Sequence, residues 1–323
     1  MQIVFAALLW LGLAASTLAE VLQRYPYRSI RLIVPAAPGG VLDLNARRVS
    51  EKLSQALGQA VVVDNRPGAS GTNAMKVAAR APPDGYTLLL GSLANLCIIP
   101  RLLPTASYDP RRDFVPITMG TYGAPILLVN PNNPSRTFAE FVTYARANSG
   151  KAAFGSPGIG STQHLAMEML QQQTGVEFMH VPYKDSNAQV LNDLVAGHIT
   201  AAIDFSSVAS AYVKSGRLRA LVVASATRNP MIADVPSNSE VGLPDFNVSG
   251  WHGYFAPTGT SPEILRTLEK GLTAAVSSPD YILWARTLGN ESGGGNSQEF
   301  SAFVQGECDK WQRVIKHAHI AVE

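Results

Sequence analysis

Ser161 and His164 stand three residues apart in the stretch AAFGSPGIGSTQHL, residues 152 to 165, which reads as a strand, a bare loop and a helix start. Residues three apart share one helix face, so a hydroxyl and an imidazole here are the types that nucleophilic catalysis uses. The spacing argues against it. A nucleophile elbow needs glycine two places before and two after its serine, whereas Ser161 is flanked there by Ile159 and Gln163, and Ser156 by Phe154. No neighbouring carboxylate orients His164, so a structural, hydrogen-bonded histidine is expected and no residue is assigned as catalytic. The dinucleotide fingerprint fails too, because Gln163 stands where its third glycine belongs. What remains is an anion cradle of two hydroxyls and bare N–H groups at a helix start, with Ser161 or Thr162 also suited to capping that helix.

Three other loops are stripped of bulk in the same way: PAAPGGVLD (35–43), NRPGASGT (65–72) and GSLAN (91–95). Glycine lets backbone N–H groups approach a ligand, and the free N–H groups and dipole of a helix start favour negative charge. Asp43, Asp185 and Asp204 follow loops or strands that point to the same region. Carboxylates there repel an anion directly but hold an ammonium group, a hydroxyl or a bridging water. Trp251 and Tyr254, on a later strand, are candidates for the wall of an apolar ligand body or for core packing. No metal site is evident: the histidines are scattered, and His317 and His319, two apart, fall on different helix faces.

The elements that must position these loops alternate between strand and helix. IRLIVP (30–35) leads through a Pro/Gly loop into a helix with Leu42, Val49, Leu53 and Leu57 on one face and Gly58 as its stop. AVVVDN (60–65) and YTLLLGS (86–92) repeat the pattern, and such continuous apolar runs predict parallel strands covered on both faces. After FVPITMG and APILLVNP the scheme restarts with AAFGS, VEFMHVPY, ITAAIDF and LRALVVAS, with helices predicted at 162–173, 187–196 and 207–215. The chain is read as crossing between two α/β lobes near residues 124 and 249, with helices at 262–276, 279–288 and 297–316 packing back on the first lobe.

At 323 residues the chain is too long for one ordinary core. A net charge of +2 gives no field for nucleic acid, so an anion must be recognised locally. Residues 1–19 carry no charged side chain and turn from apolar to small, the pattern of a secretory signal peptide cut before Glu20, with no cysteine for lipid anchoring. Cys97 and Cys308 fit no metal framework; one bridge or two free thiols are open, and free thiols are favoured.

From Tyr25 almost to the C-terminus the chain resembles the Bug-type solute-binding proteins, the extracytoplasmic receptors of tripartite tricarboxylate transporters. The resemblance rests on YPYRSIRLIVPAAPGG with Asp43, DNRPGASG, PPDGYTLLLGS, GSPGIGSTQHL, HVPYK, GRLRALVVAS and GYFAPTGT, in order. It implies an α/β, two-lobed periplasmic binding protein of type II, a Venus flytrap closing on a small carboxylate. The lobes would be 20–123, 124–248 and, returning to the first, 249–323. It implies ligand contacts at Ala37, Gly39, Gly40, Asp43, Ser92, Gly160, Ser161, Thr162 and Asp204. The chain departs from the family pattern at Ala36, where an aromatic is common, at Asp185, which replaces a glycine, and at Ile99, where Asn is frequent. Ala36, Asp185 and Trp251 are therefore expected as pocket walls, with room beside Trp251 for an aromatic or bulky acid.

The resulting expectation is a non-enzymatic periplasmic receptor, monomeric, with no cofactor and no nucleic acid, passing its ligand to membrane transporter subunits by hinge closure. A sensor that signals to another membrane partner, or a serine hydrolase using Ser161 and His164, are the alternatives.

Overall fold

The computed structural model describes residues 25–103, 106–184, 186–318 and 320. The expected signal peptide and Asp185 lie outside the described residues. In the first sheet, β1 (Ile30–Val34), β2 (Val61–Asn65) and β3 (Thr87–Ser92) are parallel, with β1 in the middle. Helix α1 (Val41–Leu57) follows β1 and buries Ala46, Val49 and Leu53 against it. It ends where Gly58 takes a left-handed φ of 67° and donates to Ser54 O, a conformation that glycine adopts without penalty. Helix α2 (Thr72–Ala79) follows β2, and a π-helical turn at Ala94–Ile98 follows β3.

β4 (Phe114–Gly123) belongs to the first sheet, and β5 (Pro125–Val129), one residue later, to the second. Helix α3 (Phe138–Ala147) opens with a capping box between Thr137 and Glu140. Then β6 (Ala153–Ser156), α4 (Thr162–Thr174), β7 (Met179–Pro182), α5 (Asn187–Ala196), β8 (Ala201–Phe205), α6 (Ser206–Lys214) and β9 (Arg219–Val223) complete the second lobe. The chain re-enters the first sheet as β10 (Gly250–Pro257). Helices α7 (Pro262–Val276), α8 (Pro279–Thr287) and α9 (Ser297–His317) and the short edge strand β11 (Glu291–Gly294) follow.

The first sheet runs β11-β4-β10-β3-β1-β2 and the second β7-β6-β8-β5-β9. Apart from the edge strand β11, the two orders correspond strand for strand, β1 with β6, β3 with β8 and β10 with β5. The sheets are mixed, not parallel throughout: β10 is antiparallel to β3 and β4, and β5 to β8 and β9. The cause is the crossing itself. Each of these strands is the first after the chain changes sheet, so it must run away from the end at which the parallel strands finish. β11 escapes sequence analysis because its residues, ESGG, have no apolar alternation; edge pairing with β4 makes it a strand.

Cys97 and Cys308 form a disulfide, which corrects the expectation of free thiols. Their separation of 211 residues carries no spacing signal. Only the return of α9 over the turn after β3 brings their Cα atoms to 4.5 Å. Trp251 is fully buried, packed edge-on against Phe300 and Phe303 of α9.

Replacing both cysteines by alanine should cost about 2–5 kcal/mol of folding stability, read as a lower urea midpoint for the double variant. A midpoint equal to that of the oxidised wild type would show that the bridge does not constrain the unfolded chain.

Candidate functional site

Three loops of the first lobe meet at the carboxyl ends of β1, β2 and β3, and one carboxylate ties the first of them to the end of β2. Asp43, 2% exposed in the first turn of α1, accepts hydrogen bonds from Gly39 N–H (2.8 Å), Arg47 Nε (2.9 Å) and Asn65 Nδ2 (3.0 Å). Asn65 also donates to Ala36 O (3.1 Å), so the end of β2 holds the loop after β1 at two points. The Arg47 hydrogen bond, with those from Gly39 and Asn65, holds the Asp43 carboxyl at a pKa of about 2 against the cost of burial. Asp43 therefore presents no unpaired charge to a ligand; it shapes the loop. Gly71, in the loop after β2, completes the junction: a Cβ there would sit 3.0 Å from Asn95 Nδ2 and 3.1 Å from Pro35 Cβ.

At this junction Ala37, Gly39 and Gly40 are exposed, and Ser92 is half-buried with its N–H donated to Asn95 Oδ1 (2.8 Å). Gly39 has φ of 85°, and Gly40, the N-cap of α1, offers no side chain to the helix start. The first N–H groups of a helix have no intrahelical partner. The start of α1 thus lies open for an anion.

The second lobe builds the corresponding junction with amides. Asp204, 3% exposed at the end of β8, accepts from Phe205 N–H (2.8 Å), Gln163 Nε2 (3.4 Å) and Asn187 Nδ2 (3.5 Å). The loops after β6, β7 and β8 are joined in this way. Only neutral donors face Asp204, so burial dominates and raises its pKa to about 6. Ser161 caps α4, accepting from His164 N–H (3.2 Å), and Ser161 and Thr162 are half-buried. Gly160 has φ of 77°, and a Cβ on it would collide with Leu102 Cδ1, in the short helix that follows the turn after β3. Bare backbone at Gly160 is what allows the second-lobe loop to lie against that first-lobe segment.

The histidine expected to be structural is so. Gly160 N–H donates to His164 Nδ1 (3.0 Å), and the ring stacks on His180 with centroids 3.9 Å apart. Glu168 Oε1 lies 3.5 Å from Nε2, a carboxylate one turn away that sequence alone did not place. Ser161 Oγ serves the His164 backbone, not its ring. The serine paired with a histidine is Ser156, with Oγ 2.7 Å from His180 Nε2, but it is fully buried and also bonded to Gly158. Burial, and second the stacked His164 ring beside it, lower the His180 pKa to about 4.

The expected wall at Trp251 needs correction. Alternation along β10 puts Trp251 on the α9 face of the sheet, whereas half-buried Ala36, in the loop after β1, packs on the α1-side core, so they border no common space. Buried Trp251 leaves no room beside it for an aromatic ligand. Tyr254, on the Ala36 face, is fully buried and donates to Asn45 Oδ1 (2.8 Å). Sequence analysis missed Asn65, Gln163 and Asn187, which tie the loops together; Asn65 ends a strand and the other two lie in the first turn of a helix, positions that many asparagines and glutamines occupy without such a role. Among the described residues, no group of three or more histidine, cysteine or acidic side chains is placed to hold a metal ion, and no helix is long and apolar enough to cross a membrane.

Comparison with known proteins places this geometry in context. Residues 45–320 match the model of the tripartite tricarboxylate transporter family receptor. The protein BugT of Bordetella pertussis is 33% identical over 94% of this chain and 93% of its own. The structure of Rpa4515 from R. palustris with adipate is 34% identical, covering 92% of this chain and 99% of that one with a TM-score of 0.77. MatC from Rhodopseudomonas palustris with bound malate is 30% identical, covering 90% and 100%, with a TM-score of 0.74. With the mixed sheets, the two crossings and the paired loop junctions, these matches show that the chain belongs to the tripartite tricarboxylate transporter receptor family, in its Bug-type branch.

Proposed function

We propose that this protein is a periplasmic receptor that captures a small carboxylate between its lobes and delivers it to membrane transporter subunits. The observation that carries the reading is the uncapped start of α1, where the glycines at positions 39 and 40 put no side chain over the first N–H groups of the helix while Arg47 neutralises the one nearby acid. Ala37, Gly39, Gly40 and Ser92 face the ligand from the first lobe, and Gly160, Ser161, Thr162 and Asp204 from the second. Asp43 acts at one remove, by holding the loop. The adipate and malate bound by the two related structures are acids of the size that such a cradle suits.

Asp204 supplies a second kind of selectivity. With its pKa raised to about 6, it is close to the pH at which it gains a proton, so it accepts from a ligand hydroxyl or ammonium when charged and donates to a carboxylate oxygen when protonated. Closure about the two crossings would bring both loop junctions onto one ligand, and the ligand's contacts to both lobes favour the closed state.

Gly40→Asp tests the cradle. An aspartate N-cap supports the helix start, so stability should stay within about 1 kcal/mol of wild type or rise. Its carboxylate would occupy the ligand's place, and calorimetric affinity for malate or adipate should fall by about 100-fold or more, roughly 3 kcal/mol. Unchanged affinity would remove the start of α1 from the site.

Asp204→Asn tests the second junction through pH. The folded pKa of Asp204 lies above its ordinary value of 3.8, so the native state holds the extra proton and stability falls as pH rises from about 4 to about 6. His180 and His252, both lowered to about 4 by burial, act oppositely: between about 4 and 6.5 the unfolded chain binds the protons, so stability rises with pH. Wild-type urea midpoints should therefore climb only gently over this range. Asp204→Asn should climb more steeply and gain about 2–3 kcal/mol near neutral pH. Parallel profiles would show that Asp204 titrates normally.

A further inference from the structure

We propose that His252 is a ligand-reading residue of the first lobe, presenting its Nε2–H to a ligand oxygen while a buried chain from Thr121 to Asn45 holds the imidazole in that tautomer. The inference rests on the receptor reading above and assigns a specificity role that the family resemblance did not imply.

His252 lies near the start of β10, three residues after the crossing, and pairs in register with Ser92 at the carboxyl end of β3. Side chains alternate along a strand, so His252 shares the face of Tyr254 and of Ala36, the face that the start of α1 covers. As a whole residue it is half-buried, with protein packed closely around it.

The chain behind it determines where the proton sits. Asn45 Oδ1 accepts from the hydroxyls of Tyr254 (2.8 Å) and Tyr281 (3.2 Å), which turns its Nδ2 toward Thr121 Oγ1 at 3.3 Å. Thr121 is 2% exposed, and its Oγ1 lies 3.4 Å from His252 Nδ1. With Asn45 donating to it, Thr121 has one proton to place, and a buried hydroxyl proton left without an acceptor is costly. His252 Nδ1 is the acceptor within reach. Nδ1 therefore carries no hydrogen, and Nε2 does. Desolvation, which lowers the His252 pKa to about 4, keeps the ring neutral at pH 7. A neutral N–H so placed adds direction without charge: it discriminates acids by where an oxygen falls, and the helix start supplies the general preference for anions.

The test begins on the intact protein without ligand. Long-range proton–nitrogen NMR at pH 7 should show His252 with hydrogen on Nε2, its resonance identified by loss in His252→Gln. Thr121→Val should turn it into a tautomer mixture. Malate and adipate then serve as calorimetric probes: His252→Gln, which keeps a donor, should stay within about threefold of wild type, and His252→Phe should lose about tenfold or more. Urea midpoints identify any variant that fails to fold, and the wild-type tautomer stands independently of the variants. A hydrogen on Nδ1 in the free protein, or wild-type affinity in His252→Phe, overturns the inference alone. Should neither acid bind, the same affinities are read with whichever acid of a mono-, di- and tricarboxylate panel does bind; failure of the wild type to bind any of them overturns the receptor reading, and this inference with it.

Discussion

A chain that passes from one sheet to the other and back must enter and leave both at the same end. β4 ends at Gly123 and β5 begins at Pro125; β10 returns at Gly250. The parallel strands of each sheet finish at that shared end, and the strand entering each sheet runs the other way. Every loop between a parallel strand and its helix in one lobe is thereby turned toward the other. Ligand sites in open α/β sheets form at such carboxyl ends, and here two of them are opposed.

The two junctions solve one electrostatic problem differently. In the first lobe an acid close to the helix start is neutralised by Arg47 and spent on Gly39 N–H and Asn65, so it shapes backbone without repelling an anion. In the second lobe the acid at the end of β8 meets only amide and backbone donors, and burial leaves it reluctant to ionise. The first junction favours negative charge in general. The second distinguishes ligands by what they can donate or accept.

Much of this was legible because the signals are local. Helices at 162–174, 187–196 and 262–276 follow from apolar period, capping serines and glycine stops, and the structure places them within a residue of expectation. The loops were legible because they lack side chains: few reasons other than turning or backbone approach call for Gly39, Gly40 and Gly160 beside helix starts. What escaped depends on long-range contact. Cys97 meets Cys308 only once α9 has folded back, and the antiparallel entry of β10 is imposed by the crossing. Strand parity explains the Trp251 error: an aromatic near a cleft looked like a wall, yet its neighbour His252 occupies the face toward α1. The amides Asn45, Asn65, Gln163 and Asn187 carry no sequence signal that separates them from surface residues; their partners define them.

The most direct measurement is thermal unfolding of the chain from Glu20 onward, freed of carried-over ligand, against mono-, di- and tricarboxylates and the amide of each. Ligand at 100 times its dissociation constant adds about 2.7 kcal/mol of stability. The account predicts a clear rise in melting temperature with at least one acid and none with its amide. An equal rise with the amide, or no rise with any acid, would contradict a carboxylate receptor built on open helix starts.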